Sequence, residues 1–487
     1  MGNGAGKLTV CCTGATFESH GFSDVLPDSS ADGLGHSFCY LNPDLGVHVD
    51  QSATKFSLSG ASIGANNATW LSTADPFSCG SDCSASFESS TYFAALPLQP
   101  TPKPRSGPAD RGFLSGPIER GLMSGPIDPH RHPFSSPLPR SKFLEEQQDL
   151  INMANRGDSN GTLQWAQGKA GEDRIHVVIS EEHKWIFVGI YDGFNGPDAP
   201  EFLSSNLYTS IHEELRGLSW MRTDKLHKQV LDSLSRALKR TEDAYFKAAD
   251  TAIKENPELA LMGSCVLVML LKGDDVYVMN VGDSRAVLAQ KDLDKPNENP
   301  WSAWVPKLAA FQLSADHSTS VKQEVRRIRR EHPEDESAVK NGRVKGSLKV
   351  TRAFGVGFLK QPKWNEALLE MFRISYIGTA PYITCAPSLR HHRLKCSDMF
   401  LILSSDGLFE YMTNEEAVYE VKLFLTVNPE GDPAQHLVEE VLFRAADKAG
   451  MDFHQLLQIP LGDRRRYHDD ISVVVISLEG RIWKSYL

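Results

Sequence analysis

Beyond about residue 160, apolar positions gather into short dense runs separated by turn-forming residues. Ile175–Ser180, Trp185–Ile190, Cys265–Leu271, Val276–Asn280, Ala286–Ala289, Met399–Ser404 and Ile471–Ser477 are rich in Val and Ile, and many are bounded by Gly or Asp; each predicts a strand. Between these runs the period changes. Leu203, Leu207, Ile211 and Leu215 recur every four residues, as do Leu226, Val230, Leu234 and Leu238, which predicts two amphipathic helices. Thr413 and Glu416 fit a capping box, and Asp432 with Pro433 opens another helix that Gly450 ends. Phe143, Leu144, Leu150 and Ile151 predict a helix that opens the folded part at Ser141. Strands and helices come in blocks without strict alternation, so the expected class is α+β, with antiparallel sheets covered by helices.

Residues 1–140 differ. Ser, Gly, Pro and Asp recur there without a sustained period, so little apolar surface is on hand to offset the entropy of ordering. A largely disordered N-terminal regulatory or targeting region is expected over 1–140, ahead of a folded domain over 141–487. Within it, Gly112-Phe113-Leu114-Ser115-Gly116-Pro117-Ile118-Glu119-Arg120 is echoed by Gly121-Leu122-Met123-Ser124-Gly125-Pro126-Ile127-Asp128. Such a repeat is too short for a solenoid and reads either as a docking peptide or as linker. The stretch 290–400 is less regular; its Arg326, Arg327, Arg329 and Arg330 read as a solvated helix face, as do Arg464, Arg465 and Arg466.

The net charge of −11 over 487 residues argues against nucleic-acid binding. The 8 cysteines lack a disulfide or zinc-finger spacing, Cys79 and Cys83 included, which fits a reduced intracellular compartment. No secretory signal or membrane-spanning run is read. Candidate chemistry sits where acidic residues adjoin glycine at strand ends: Gly171-Glu172-Asp173-Arg174, Tyr191-Asp192-Gly193, Gly282-Asp283-Ser284-Arg285, Ser405-Asp406-Gly407 and, lacking the glycine, His468-Asp469-Asp470. One Asp-Gly is a turn. Their joint recurrence suits a site for hard cations.

These motifs carry a resemblance. Together with Val188-Gly189-Ile190-Tyr191-Asp192-Gly193, Met262-Gly263-Ser264-Cys265, Leu313-Ser314-Ala315-Asp316-His317, Leu348-Lys349-Val350-Thr351-Arg352-Ala353-Phe354-Gly355 and Leu403-Ser404-Ser405-Asp406-Gly407, residues from about 160 to 478 resemble the catalytic domain of the protein phosphatase 2C family. The N-terminal Met1-Gly2-Asn3-Gly4, Gly33-Leu34-Gly35-His36-Ser37-Phe38-Cys39-Tyr40 and Phe87-Glu88-Ser89-Ser90-Thr91, with the repeat and Phe194-Asn195-Gly196-Pro197, resemble the plant poltergeist-like subgroup.

The resemblance implies a central sandwich of two antiparallel β-sheets flanked by helices. It implies a Mg²⁺- or Mn²⁺-dependent phosphatase acting on phosphoserine and phosphothreonine through a water shared by two ions. Carried over, Asp192 bridges the ions, Glu172 and the Gly193 carbonyl complete one site, and Asp406 and Asp469 hold the other. Asp173 supports them from behind, and Asp283 is either a ligand for a third ion or a turn aspartate. Three departures stand out. Phe194 replaces the family's His, Lys169 stands in for its phosphate-holding Arg as a point charge without the bidentate fork, and Glu410 and Asp470 replace an Asp and an Asn.

A cysteine-based phosphatase fails on spacing, since Cys385 and Arg390 enclose too few residues. A scaffold that binds phosphoproteins without turnover remains the rival reading. It is motivated by Phe194 and the missing Arg and opposed by the retained carboxylates, which repel without cations. Gly2 with Cys11 and Cys12 are candidates for acylation, although Gly6 stands where a hydroxyl is usual. The expected setting is a monomer at the cytoplasmic face of the plasma membrane or in the cytosol, with the nucleus also open to it. Its expected partners are phosphoproteins, receptor kinases among them, and not nucleic acid.

Overall fold

Strands covered on both faces dominate the computed structural model, which describes residues 35–40, 56–65, 85–98, 163–220, 224–291 and 308–479. In chain order the main strands are β1 (Gly35–Tyr40), β2 (Ser57–Ile63), β3 (Ala85–Ser89), β4 (Phe93–Pro97), β5 (Leu163–Ala170), β6 (Asp173–Ser180) and β7 (Trp185–Tyr191). They continue as β8 (Val266–Lys272), β9 (Asp275–Val281), β10 (Arg285–Lys291), β11 (Leu308–Gln312), β12 (Ser388–Arg393), β13 (Asp398–Ser404) and β14 (Ile471–Ser477). Among the described residues they form two 7-stranded sheets, ordered β11-β10-β13-β14-β2-β1-β4 and β12-β9-β8-β7-β6-β5-β3. Every pairing within the two sheets is antiparallel.

The sheets pack face to face through Phe38, Ile175, Val188, Leu267, Leu403 and Val474. Each outer face carries helices, and strand alternation feeds both layers. Val473 and Val475 of β14 point away from Val474, into the helices α4 (Asn414–Val427) and α5 (Pro433–Ala449) with Val421 and Val441. On the other sheet, Phe187, Val268 and Leu270 meet the predicted stripes Leu203–Leu207 of α1 (Asp198–Arg216) and Leu234–Leu238 of α2 (Asp224–Ala252). Each such side chain contributes about 1.5–3 kcal/mol of apolar burial. Cover on both sides explains why the strands read as unbroken apolar runs despite antiparallel pairing.

The caps form as expected. Thr413 Oγ1 accepts the Glu416 N–H at 3.2 Å while Glu416 Oε2 accepts the Thr413 N–H at 2.8 Å. Asp432 accepts the N–H groups of Ala434 and Gln435, and Gly450 ends α5 at φ 69°. The arginine run in α3 (Lys322–Glu331) is only partly a solvated face. Arg326, Arg329 and Arg330 are exposed, but Arg327 turns inward to Glu324 at 3.0 Å and to the Thr351 carbonyl at 3.1 Å.

One expectation is corrected. The folded part does not begin at Ser141, because β1, β2 and β4 belong to one sheet and β3 to the other. β2 is an interior strand, hydrogen-bonded to β1 and to β14. These segments, Gly-His-Ser-Phe-Cys-Tyr and Ser-Leu-Ser-Gly-Ala-Ser-Ile, look polar in sequence. Their hydroxyls find partners far along the chain. Ser59 donates to Asp432 at 2.5 Å, Ser37 to Gln435 at 3.3 Å, and Ser62 meets Ser472 at 2.8 Å. Gly60 leaves room for the Phe38 ring, since a Cβ there would lie 2.2 Å from its Cζ. β5, β11 and β12 also form without the dense Val and Ile runs that predict strands. The expected helix at Ser141, the Ser-Gly-Pro-Ile repeat, Cys79, Cys83, Gly2, Cys11 and Cys12 lie outside the described residues.

A chain starting at Ser141 would lack β1, β2 and β4, three of the seven strands of one sheet, and the edge strand β3 of the other. It is expected to yield no cooperative thermal transition by circular dichroism, whereas the full chain melts cooperatively; equal melting curves would refute the role given to β1–β4.

Candidate metal centre

The site lies where the two sheets end together. β6 and β7 are neighbours, with Arg174 opposite Tyr191, so Glu172 and Asp173 at the start of one adjoin Asp192 at the end of the other. β13 and β14 repeat this arrangement in the second sheet, with Ser404 opposite Val473, which brings Asp406 beside Asp469 and Asp470. Asp470 joins the two sheets: its carboxylate accepts the Ala65 N–H at 2.6 Å and the Glu172 N–H at 2.7 Å. Both oxygens accept, a task an Asn amide could do with only one. Gly171 turns there at φ 57°, and a Cβ on it would lie 2.3 Å from that carboxylate.

Glu172 is held at both oxygens, Oε1 by the Gly196 N–H at 2.5 Å and Oε2 by Arg465 at 3.0 Å. Burial pushes its pKa up to about 7; Arg465 opposes this, while Asp470 and Asp469 add to it. Gly193 pairs with Ser264, and a Cβ there would come within 2.5 Å of the Glu172 carbonyl oxygen. Asp192 is raised well above the ordinary range by burial and then by Asp406, Asp173, Asp469 and Asp283. Asp406 begins a short helix, Asp406–Phe409, and is raised by burial and by Asp283, Asp469 and Glu410. Both carboxylate oxygens of Asp173 are buried without a hydrogen-bond partner among the described residues. Burial and Asp470 raise it, and the nearby hydroxyls of Ser405 and Ser472 ease it only in part. Asp469 is the more open member, its side chain 31% exposed.

Asp283 follows the turn at Gly282 and accepts from the Cys265 thiol at 3.5 Å. Its pKa rises to about 6, chiefly through burial. Donor atoms of Asp192, Cys265 and Asp283 all lie within 4.8 Å of one another. Burial and the neighbouring Asp192 hold the Cys265 thiol well above its usual range, so it serves as a proton-bearing donor to Asp283. Phe194 packs its ring against Gly263, where a Cβ would lie 2.8 Å from Cε2, and brings no proton to the site. Lys169 lies in β5 opposite Arg174 and Ser86, where its charge bears on Asp198 of α1.

The structure thus brings Glu172, Asp173, Asp192, Gly193, Asp283, Asp406 and Asp469 to one end of the sandwich. The donors are carboxylates and a carbonyl, a set that suits Mg²⁺ or Mn²⁺. The orphaned oxygens of Asp173 and the shared upward pKa shifts fit cations too, because positive charge would relieve both. Two residues of the neighbourhood were missed in sequence. Cys265 looked like a strand residue. Arg465 was absorbed into an arginine run, although its i, i+4 spacing to Asp469 was a usable signal.

Glu172 and Asp283 bind protons more tightly when the protein is folded than when it is unfolded. Their contribution is therefore full below the ordinary carboxylate range and lost as pH rises through about 6–7. Without metal, the melting temperature of the wild type relative to Glu172→Gln is expected to fall between about pH 5.5 and about pH 8. Mn²⁺ should raise the wild-type value more at the higher pH. Equal increments in differential scanning fluorimetry would show that protons and cations do not compete there.

Comparison with known proteins agrees with this geometry. Residues 156–450 match the family model described as protein phosphatase 2C. Across 100% of both chains, the protein is 48% identical to probable protein phosphatase 2C 4 and to probable protein phosphatase 2C 23 of Arabidopsis thaliana. It is 46% identical, again across 100% of both, to protein phosphatase 2C 35 of Oryza sativa subsp. japonica. The sandwich, the carboxylates at its end and this full-length similarity agree: the chain belongs to the protein phosphatase 2C family of protein serine/threonine phosphatases.

Proposed function

We propose that the protein hydrolyses phosphoserine and phosphothreonine in proteins with the help of Mg²⁺ or Mn²⁺, in plant signalling. The observation that carries this reading is the placement of Asp192 and Asp406, half-buried beside one another at the end of the sandwich, each raised well above the ordinary carboxylate range by desolvation and by like charge. Such a pair has a physical reason to exist if cations share it. When bound, the ions supply positive charge for the phosphoryl oxygens and acidify water near neutral pH.

The chain's own groups divide the remaining work. Asp192, Glu172 and the Gly193 carbonyl would hold one ion, and Asp406 and Asp469 would hold the second. Asp283 would serve a third, unless it acts only as the turn aspartate before β10. The Gly196 N–H and Asp470 fix Glu172 in position, so the ligand set is oriented before substrate arrives. Phe194 leaves the leaving oxygen without an imidazole donor at that position, and its proton must come from solvent or another group.

The full chain is expected to hydrolyse a phosphothreonine peptide with Mn²⁺ or Mg²⁺ and to stop in chelator. Asp192→Asn and Asp406→Asn should each lower the rate on the order of a hundredfold or more. A folded protein inactive with either metal would instead support a phosphoprotein-binding scaffold.

The reading extends to location. The relatives are plant phosphatases, and Gly2, Cys11 and Cys12 support acylation at the plasma membrane, where receptor kinases and their targets are the proposed substrates. A Gly2→Ala, Cys11→Ser, Cys12→Ser variant is expected to move to the soluble fraction of plant cells. Its retention on membranes would remove acylation from the proposal.

A further inference from the structure

We infer that Arg465 holds the phosphoryl group of the substrate, replacing the arginine that the strand leading into Glu172 lacks. The inference rests on the phosphatase reading above and names a substrate-binding residue of that same site.

In that strand, β5, Lys169 has its charge near Asp198, and Gly168 has no room for a side chain. A Cβ at Gly168 would lie 2.3 Å from Nε2 of His36, a buried imidazole of β1 that fills the space beside Phe87. An arginine serving the site must come from another element.

The turn before β14 supplies one. Its consecutive arginines have separate fates. Arg464 is buried, donating to the carbonyls of Leu457 and Ile459 at 2.9 Å each, and so anchors the turn. Arg466 points to solvent, 76% exposed, and pairs with Asp463. Arg465 lies between them and faces the carboxylates, its Nη1 3.0 Å from Glu172 and its Nη2 3.6 Å from Asp469.

Arg465 is still 37% exposed. A guanidinium carries five N–H donors in a planar fork, and Glu172 takes one of them, at Nη1. Donors remain for a group arriving from solvent, and a phosphoryl oxygen pair matches the fork. Its carboxylate partners already hold the side chain in place, so little rotamer freedom is left to lose on binding. A simple brace for Glu172 would also explain the ion pair, but would not need donors left open to solvent.

The test uses the full chain with Mn²⁺, and inorganic phosphate as the probe. Arg465→Ala is expected to weaken phosphate binding by calorimetry, and to raise the KM for a phosphothreonine peptide, on the order of ten- to a hundredfold. Because Arg465 also braces Glu172, Mn²⁺ affinity measured without phosphate is expected to shift by a smaller factor than phosphate affinity measured at saturating Mn²⁺. Arg465→Lys should recover part of the phosphate affinity, and Arg466→Ala should match the wild type.

Arg465→Ala that weakens Mn²⁺ binding and leaves phosphate affinity unchanged would overturn the inference in favour of a brace. So would a loss of phosphate affinity in Lys169→Ala but not in Arg465→Ala. If the wild type turns nothing over yet binds phosphate through Arg465, the phosphatase reading fails and this one stands. A wild type that binds no phosphate overturns it outright.

Discussion

Carboxylates buried close together repel one another strongly, because little water is present to screen them. Buried Glu172 and Asp173 and half-buried Asp192, Asp283 and Asp406 meet that condition at one end of the sandwich, each pushed upward in pKa with desolvation as the leading cause. The surrounding structure is arranged to hold them there regardless. Glu172 is fixed by a backbone N–H and a guanidinium, Asp470 clamps two loops, and Gly193 lets the chain pass against the Glu172 backbone. Cations are the natural complement of a cluster that cannot easily ionise alone.

The two sheets turn this local demand into a fold. Each donates a pair of adjacent strands whose ends carry acids, and their face-to-face packing brings the pairs together. That packing needs both sheets complete. β2 inserts between β1 and β14, and its Ser59 reaches Asp432, which caps α5 as well. One aspartate thereby ties the early strand β2, the late helix α5 and, through the sheet, β14 to a single frame. The geometry of Asp469 and Asp470 at the start of β14 depends on residues some four hundred positions earlier in the chain, as Ser62 and Ser472 illustrate with a separation of 410.

Much of this was legible in the order of residues. β6, β7, β8, β9, β10, β13 and β14 announced themselves because covered strands are dense in Val, Ile and Leu. The stripes of α1 and α2 did so because a helix against a sheet must present apolar positions every turn. The acidic residues stood out through their place at strand ends. β1 and β2 were hidden because their serines are satisfied by Asp432, Gln435 and Ser472, partners that no local window contains. β12 was hidden for a related reason: His391 and His392 in it are paired with Asp275 and Asp398.

The sequence by itself determined the class of the fold, the caps of α4 and α5, and which acids could serve a cation, since these follow from local period and residue chemistry. Only the tertiary structure decided which of three consecutive arginines faces the carboxylates, that β1–β4 complete the sheets, and that Asp470 clamps instead of ligating. Those outcomes depend on distances between residues far apart in the chain, and such distances exist only once the sheets have closed on one another.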